Sequence, residues 1–232
     1  MKKIGIIILL VMVTLVSCSK DDDEKTINPV PTTTVTDIDG NVYHTVTIGT
    51  QVWMVENLKT SKYRNGNPIP NVNGKQWDNL TAGAYCIYNN NENNRSTYGL
   101  LYNWYAANDS RNICPVGWHI PTLEEWETLA YTGLELKESG TTHWMNPNNC
   151  YANNSGFKAL PGGGCGFDGA FNGITEYGYW WTASEDGTEN GWMTIMNYQN
   201  PGSSGSVNFD KWIGASIRCI KDEYETKSKL KN

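Results

Sequence analysis

Cysteine is the residue type through which this sequence could do covalent chemistry, and its six cysteines occur in two contexts. Cys18 closes an N-terminal apolar segment. The other five lie in the body of the chain: Cys86, Cys114, Cys150, Cys165 and Cys219. The sequence has no C-x-x-C spacing, which excludes a thioredoxin-like redox motif and the usual zinc-ribbon spacing. Because five is odd, disulfide pairing would leave at least one thiol free or paired elsewhere.

The spacing of these five cysteines leaves their connectivity open, because connectivity does not follow from sequence alone. We expect one disulfide between Cys114 and Cys219, which would close a long loop and tie the last strand to the middle of the domain. The next candidate pair is Cys150 with Cys165. An exported chain could keep such bonds, since disulfides persist in oxidising compartments.

Cys18 is a candidate site of lipid attachment. A basic pair at residues 2–3, followed by an apolar run over residues 4–16, predicts a secretory signal that is too short to span a bilayer comfortably. The sequence LVSC at 15–18 resembles a bacterial lipobox, in which the cysteine is acylated and becomes the new N-terminus. The alternative is an ordinary signal peptide with an incidental cysteine. Lipidation would tether the protein to a membrane outside the cytoplasm.

An acidic run, SKDDDEK at 19–25, follows the candidate lipidation site. It resembles the export signal that directs bacterial lipoproteins to the outer face of the outer membrane. A solvated tether and a location on the periplasmic face are the alternatives. We therefore expect a lipid-anchored outer-membrane protein exposed at the cell surface. The predicted organisation is a signal peptide (1–17), an acylated, acidic, disordered tether (18–35), one domain (36–223) and a polar tail (224–232).

The composition argues against nucleic acid as a partner and provides many aromatic side chains for other contacts. The formal net charge is −6 and the sequence has no basic patch, which argues against nucleic acid, whose phosphates demand clustered Lys and Arg. Aromatic side chains are abundant, with 10 Trp and 13 Tyr against 4 Phe. Trp and Tyr combine an apolar body with a polar tip, so they suit half-exposed contact surfaces as well as the core.

The elements that must position these residues can be predicted in part. Residues 42–48 and 51–55 have the pattern of a β-hairpin. The helical spacing of apolar and aromatic side chains over 98–105 predicts a first helix. Thr122 and Glu125 form a capping box that predicts the start of a second helix. Further short strands are predicted near residues 179–183, 192–198 and 215–220.

Six blocks of sequence, in order, carry a resemblance to a known family. They are QVWMVENL (51–58), YGLLYNWYA (98–106), CPVGWHIPTLEEW (114–126), SGFKALPGG (155–163), GYWWTAS (178–184) and SIRCIKD (216–222). Together they resemble the Fibrobacter succinogenes major paralogous domain over about residues 37–222. Any block alone would be a weak signal, whereas six in order are highly specific.

The resemblance implies a C-type lectin-like fold of the α+β class. In that fold two helices pack on a twisted, mostly antiparallel sheet with long structured loops. The family is common on bacterial surface lipoproteins and has no established activity. Residues 119–127 also resemble the start of a helix in formylglycine-generating enzymes, which share that fold and bind copper through two cysteines close in sequence. Cys150 and Cys165 do not reproduce that spacing, so an enzyme is the less favoured alternative.

These observations favour a non-catalytic binding module for a glycan or a surface protein. The aromatic side chains that fall in or beside predicted loops are the candidate contacts: Trp144, Tyr151, Tyr177, Trp192 and Tyr198. Calcium-dependent lectins of this class carry Glu-Pro-Asn or Gln-Pro-Asp, with Trp-Asn-Asp nearby, and the sequence has neither, which argues against calcium-bridged sugar binding. The alternative is a structural component of a surface or adhesin complex.

The sequence contains no strong motif for a metal, a cofactor or a catalytic site. We expect no cofactor. An oxygen-rich segment with Asn89, Asn91 and Glu92 could hold a structural calcium ion, but it has one carboxylate, and an Asn-rich turn is favoured. The three histidines form no H-E-x-x-H motif, and G-x-S-x-G is absent from the sequence. The glycine run at 160–164 lacks the Lys-Ser/Thr of a phosphate loop, so tight turns would explain it.

Overall fold

The chain divides into two units, residues 1–31 and residues 32–232, and the second contains every residue described below. The structure, a computed structural model, describes residues 33–148, 154–200 and 205–223. The predicted signal peptide, Cys18, most of the predicted tether and the predicted tail lie outside these ranges. None of the helices within them is long and apolar enough to cross a membrane.

Twelve strands and three short helices make up the described part of the domain. The strands are β1 (Thr34–Thr36), β2 (Val42–Ile48), β3 (Gln51–Met54), β4 (Tyr85–Cys86), β5 (Leu101–Tyr102), β6 (Trp118–His119), β7 (Gly162–Cys165), β8 (Phe171–Ile174), β9 (Tyr177–Asp186), β10 (Asn190–Asn197), β11 (Gly205–Asp210) and β12 (Ile220–Lys221). The helices are α1 (Glu92–Tyr98), α2 (Trp104–Ala107) and α3 (Leu123–Ala130). Single 3-10 turns occur at Gly74–Trp77, Tyr88–Asn90 and Phe167–Gly169.

The strands form two five-stranded sheets and one small pair. The first sheet has the order β1-β2-β3-β12-β6, the second has the order β11-β10-β9-β7-β8, and β4 pairs with β5. Every pairing among these strands is antiparallel except that of β7 with β9. The α+β class and the mostly antiparallel pairing agree with the prediction. The prediction of one sheet with two helices is wrong, because the chain builds separate sheets and three short helices.

Two locally encoded elements form where they were predicted. In the first hairpin β2 pairs with β3, and Ile48 lies opposite Gln51 around a two-residue turn at Gly49. In α3 the side chain of Thr122 accepts a hydrogen bond from the amide of Glu125, and the Glu125 carboxylate accepts one from the amide of Thr122. This reciprocal capping box satisfies two amides at the start of the helix, which have no partner within it.

The predicted helix over residues 98–105 forms only at its end, as α2 (Trp104–Ala107), and is wrong for the residues before it. Gly99 has a φ of +83°, a left-handed conformation that ends α1 at Tyr98. The next residues are extended, because the amide of Leu100 donates to Leu58 and Tyr102 pairs with Tyr85 of β4. Pairing with distant segments therefore overrides the local helical spacing.

The start of the domain also differs slightly from the prediction. The predicted tether ended at residue 35, whereas Thr34–Thr36 forms β1 and pairs with β2, Val35 lying opposite Tyr43. Three β-branched residues favour this extended edge strand.

Buried side chains fall into three clusters, and β9 divides the two largest. Trp180 and Trp181 are neighbours in β9 and are both fully buried. Because successive side chains of a strand point to opposite faces, Trp181 enters the first cluster and Trp180 the second, which lies under α3. The third cluster surrounds the thiols of Cys86 and Cys165. The predicted Cys114–Cys219 disulfide is confirmed, and it joins residues 105 apart in sequence.

Candidate functional site: an aromatic ledge on the second sheet

Three aromatic side chains form a partly exposed surface on the second sheet, which we call the aromatic ledge: Tyr177 and Tyr179 of β9 and Phe209 of β11. The rings of Tyr177 and Tyr179 are stacked, with centroids 5.7 Å apart and planes 18° apart. Phe209 meets Tyr179 edge to face at 6.2 Å and is 37% exposed. The two tyrosines share one face because they are two residues apart in an extended strand.

A shallow cleft of about 90 Å³ lies beside the aromatic ledge. Tyr179 and Phe209 form one wall, Met193 of β10 contributes to the lining, and β7 and Asn172 of β8 form the other wall. The Asn172 side chain is exposed, and among the described residues no side chain or backbone group hydrogen-bonds to its amide. An unengaged carboxamide offers two donors and one acceptor to a ligand.

The backbone of β7 keeps this cleft open. A Cβ on Gly164 would lie 3.2 Å from the carbonyl oxygen of Gly214 and 3.6 Å from the Tyr179 ring. Burial, followed by the neighbouring Tyr177 and Glu176, raises the pKa of the Tyr179 hydroxyl, so it is an uncharged phenol at neutral pH. The cleft thus combines aromatic surface, a neutral hydroxyl and an amide, and it is suited to a polar, uncharged ligand with apolar faces.

A second cleft, of about 570 Å³, contains two histidine–carboxylate pairs at or near its walls. His44 Nδ1 lies 2.7 Å from Glu56 Oε1, and the His44 amide donates to the other oxygen of that carboxylate. His143 Nδ1 lies 2.7 Å from Glu138 Oε2. His44, Glu56 and Glu138 line the cleft together with Lys158. In the described ranges no three His, Cys, Asp or Glu side chains are grouped so as to hold a metal ion.

Behind the ledge, a buried polar centre forms around Asn57. Its side-chain oxygen accepts hydrogen bonds from Trp180 Nε1 at 2.9 Å and from Arg218 Nη2 at 3.0 Å. Its amide nitrogen donates to the Tyr98 carbonyl at 2.8 Å and to Ser216 Oγ at 3.3 Å. Asn57, Tyr98 and Trp180 belong to three of the six sequence blocks, and Ser216 and Arg218 belong to a fourth.

The two remaining blocks reach the same centre. Arg218 is completely buried, donates to the Phe157 carbonyl at 2.6 Å, and lies 4.3 Å from the centre of the Phe157 ring. Trp126 of α3 packs against Trp180 with ring centroids 5.9 Å apart. All six blocks therefore meet in one buried cluster, where they hold the fold together.

The comparison with protein families matches the description Fibrobacter succinogenes major domain over residues 46–221, a range that spans the six blocks to within one residue. The chain belongs to this family. The comparisons with curated proteins and with solved structures give no match. Membership in the Fibrobacter succinogenes major domain family assigns no activity.

One predicted contact residue belongs to the core. Trp144 is 1% exposed, and its indole nitrogen donates to the Ala159 carbonyl at 2.9 Å. The segment around it folds onto the second cluster, where the Lys137 ammonium lies 5.1 Å from the indole. The prediction that Trp144 contacts a ligand is wrong, because its ring is buried and its N–H already has a hydrogen-bond acceptor. Neither the ring nor the N–H is available to a ligand. Tyr151 lies outside the described residues.

The other predicted contacts do not form one site. Tyr177 lies on the aromatic ledge. Tyr198 directly follows β10 and packs against the second cluster, whereas Trp192 is half-buried near the other end of β10. Six residues of strand separate these two by about 20 Å. The structure thus places Tyr177 alone of this set on the ledge.

Sequence reasoning missed Tyr179, Asn172 and Phe209. The sequence predicts a strand at Tyr179 without a surface role, although its spacing of two residues from Tyr177 is a usable signal for a shared face. Asn172 and Phe209 lie in β8 and β11, for which no strand was predicted. The glycine run, predicted to form tight turns, instead contributes the buried strand β7. Tyr179, Asn172 and Phe209 come together because of the order of strands in the sheet, which local sequence patterns do not encode.

The candidate calcium ligands have structural partners. Asn89 adopts a φ of +52° within a tight turn. The Asn91 side chain accepts a hydrogen bond from the amide of Asn93 and thereby caps α1. The Glu92 carboxylate lies 3.7 Å from Arg95. This geometry favours the Asn-rich turn over a calcium site.

The predicted pairing of Cys150 with Cys165 involves a residue outside the described ranges, so it stays a prediction. Cys165 carries a free, buried thiol, and β7 directs it into the third cluster beside Cys86. Cys150 itself lies outside the described residues.

His119 bridges two carboxylates and sets a pH dependence of stability. Its Nε2 lies 2.9 Å from Glu125 Oε1 and its Nδ1 lies 2.6 Å from Asp222 Oδ1. Both nitrogens can donate only in the imidazolium form. The Glu125 bond, opposed by burial and aided by the Asp222 bond, raises the pKa of His119 above its usual 6.5. This link joins β6, α3 and the segment after β12.

We expect the His119 contribution to be complete below pH 6.5 and to be lost as the pH rises through the raised pKa of the folded state. Thermal melts at pH 6 and pH 9 should show a larger drop for the wild type than for His119→Gln, which cannot become charged. Equal drops in the two proteins would show that His119 does not titrate as this geometry requires.

Proposed function

We propose that the mature protein is a cell-surface lipoprotein whose domain binds a glycan at the aromatic ledge without catalysing a reaction. The observation that carries this proposal is the stacked pair Tyr177–Tyr179, half-exposed beside a cleft with an unengaged amide. Buried aromatic rings need no explanation beyond packing. Rings left half-exposed together, next to a free hydrogen-bonding group, are typical of contact surfaces.

The chemistry of the ledge suits a sugar. Aromatic rings pack against the C–H faces of a sugar ring, while hydroxyl groups need donors and acceptors such as the Asn172 amide. Among the described residues, no charged side chain lines the cleft, so a neutral saccharide is favoured over an anionic one. The cleft, at about 90 Å³, is too small to enclose a sugar ring, so the saccharide would lie against the rings of the ledge and reach the cleft with a substituent.

We further propose that the domain has a C-type lectin-like fold and binds its glycan independently of calcium. The α+β class and the mostly antiparallel sheets are compatible with that fold. Calcium independence is supported by the described lining residues of the cleft, none of which is a carboxylate, and by the missing lectin tripeptides.

A protein partner is the second candidate, and one observation favours it. β11 is an edge strand of the second sheet, and all of its residues but one are exposed. A free edge can accept an extended peptide as a further strand, and Phe209 would then lie at the contact. This arrangement would suit an assembly role in a surface or adhesin complex.

Lipid attachment makes a direct prediction. Replacing Cys18 by alanine should move the protein from the membrane fraction to the soluble fraction, because the acyl chains that hold it at the membrane would be missing. Fractionation of cells producing each form measures this, and protease digestion of intact cells reports which face of the outer membrane is occupied. A Cys18→Ala variant that stays in the membrane fraction would refute lipid anchoring.

A glycan-array screen of the mature chain, with calcium and with a chelator, tests glycan binding. We expect the same hits in both conditions, and about tenfold weaker binding for Gly166→Ala. A Cβ at Gly166 would lie 3.6 Å from Asn172 Nδ2 without a clash, so the methyl group would occupy the cleft and leave the fold intact. A blank array in both conditions would favour the protein-partner alternative.

A further inference from the structure

Two buried thiols lie side by side in the third cluster. Cys86 and Cys165 are 0% and 1% exposed, and their side chains are hydrogen-bonded to each other. They share the cluster with Trp77, Tyr88 and other apolar side chains. Neither belongs to the ledge's aromatic surface, although Cys165 contributes to the floor of the cleft.

The backbone holds both cysteines in fixed positions. Cys86 pairs with Leu101 in the small sheet, and Cys165 pairs with Phe171 in the second sheet. Cys165 also exchanges two backbone hydrogen bonds with Gly214, at 2.9 and 2.8 Å. The two thiols therefore meet at the junction of two sheets, and their contact does not depend on a mobile loop.

We propose that Cys86 and Cys165 form a second disulfide when the chain folds in an oxidising compartment. This disulfide rests on the proposed function in one respect, because export of the chain would place it in an oxidising compartment. It does not depend on glycan binding. The chain already places Cys114 and Cys219 in a disulfide. With the second bond closed and Cys18 acylated, Cys150 would be the one free thiol of the mature chain.

The reaction is thiol–disulfide exchange with an oxidant that is itself a disulfide, either a small molecule or an oxidoreductase. One cysteine, as its thiolate, attacks the oxidant and releases a thiolate, leaving a mixed disulfide. The second thiolate then attacks the protein sulfur of that mixed disulfide and displaces the rest of the oxidant. The protein loses two protons and two electrons, and the oxidant is reduced to two thiols.

Burial determines when this exchange can occur. Burial, followed by the hydrogen bond to Cys165, raises the pKa of the Cys86 thiol, so little thiolate is present in the folded protein. We therefore expect closure during folding, and slow oxidation of a protein that has folded in its reduced form. Once closed, the bond would fix β4 to β7 and so brace the floor of the cleft beside the ledge.

Peptide mapping without reduction, on the purified mature chain refolded with oxidised glutathione, tests this proposal. We expect a Cys86–Cys165 cross-linked peptide alongside the Cys114–Cys219 one, which serves as the internal control for complete oxidation. Compared with Cys86→Ala/Cys165→Ala, the oxidised wild type should melt about 10 °C higher.

The mapping is made on the wild type, so it stands even if the double variant does not fold. A Cys150→Ala variant should give the same cross-link. Free thiols at Cys86 and Cys165 in protein that contains the Cys114–Cys219 bond would overturn the proposal, and so would a cross-link from either thiol to Cys150. A purified chain is used throughout, so these outcomes are independent of whether the protein is exported or binds glycan.

Discussion

Replacing Asn57 by leucine should lower the free energy of unfolding by about 3–5 kcal/mol. The side-chain oxygen of Asn57 accepts from both Trp180 and Arg218, and these donors would be left buried without it. Burial lowers the pKa of the Arg218 guanidinium to about 9, so the group is still charged at neutral pH. Arg218 would keep its bond to the Phe157 carbonyl but lose both bonds to Asn57, and a buried charge with unsatisfied donors is strongly destabilising.

Urea unfolding of the two proteins measures this effect, and Asn57→Asp is the matched control. Aspartate keeps the acceptor and adds an opposite charge beside Arg218, while it loses the donor to Tyr98 and Ser216. We expect a smaller loss for Asn57→Asp than for Asn57→Leu. If leucine were tolerated within 1 kcal/mol, the buried polar centre could not be what joins the six sequence blocks.

Removing the Cys114–Cys219 disulfide should have the second large effect. The bond closes a loop of 105 residues, and the chain-entropy model assigns about 4–5 kcal/mol to a loop of that size. Both cysteines are buried, so the double substitution by alanine removes the link with little other change at the surface. The unfolding midpoint of the double variant should fall accordingly.

A reducing agent provides the control for this effect. It should lower the midpoint of the wild type towards that of Cys114→Ala/Cys219→Ala and have a much smaller effect on the variant. Identical midpoints for the oxidised wild type and the variant would mean that the Cys114–Cys219 disulfide does not stabilise the folded protein.

The elements that sequence predicted well are those determined by neighbouring residues. The β2–β3 hairpin follows from β-prone segments around Gly49, and α3 follows from the capping box of Thr122 and Glu125. The helix predicted from Tyr98 forms only at its end, in α2, because residues 100–102 pair with segments far along the chain. Local spacing cannot reveal a partner that only the folded chain brings near.

The candidate site, too, depends on contacts between distant segments that local sequence patterns do not reveal. Trp144 and Tyr177 were predicted on equal grounds, as aromatic residues near loops. One is in the core and the other is on the ledge, because burial depends on which sheet face each segment meets. Phe209, Tyr179 and Asn172 come from β11, β9 and β8, and one other strand of the second sheet lies between each of these and the next. A single sequence carries no direct signal for such a cluster.

Isothermal titration calorimetry with the strongest glycan from the array is the most direct test of the ledge. Tyr179→Ala should weaken binding at least tenfold, because it removes the ring that contacts both Tyr177 and Phe209. Tyr131→Ala is the matched control, since Tyr131 is 85% exposed at the end of α3 and away from the ledge. Its affinity should equal that of the wild type. Unchanged affinity in a folded Tyr179→Ala protein would contradict glycan binding at the ledge.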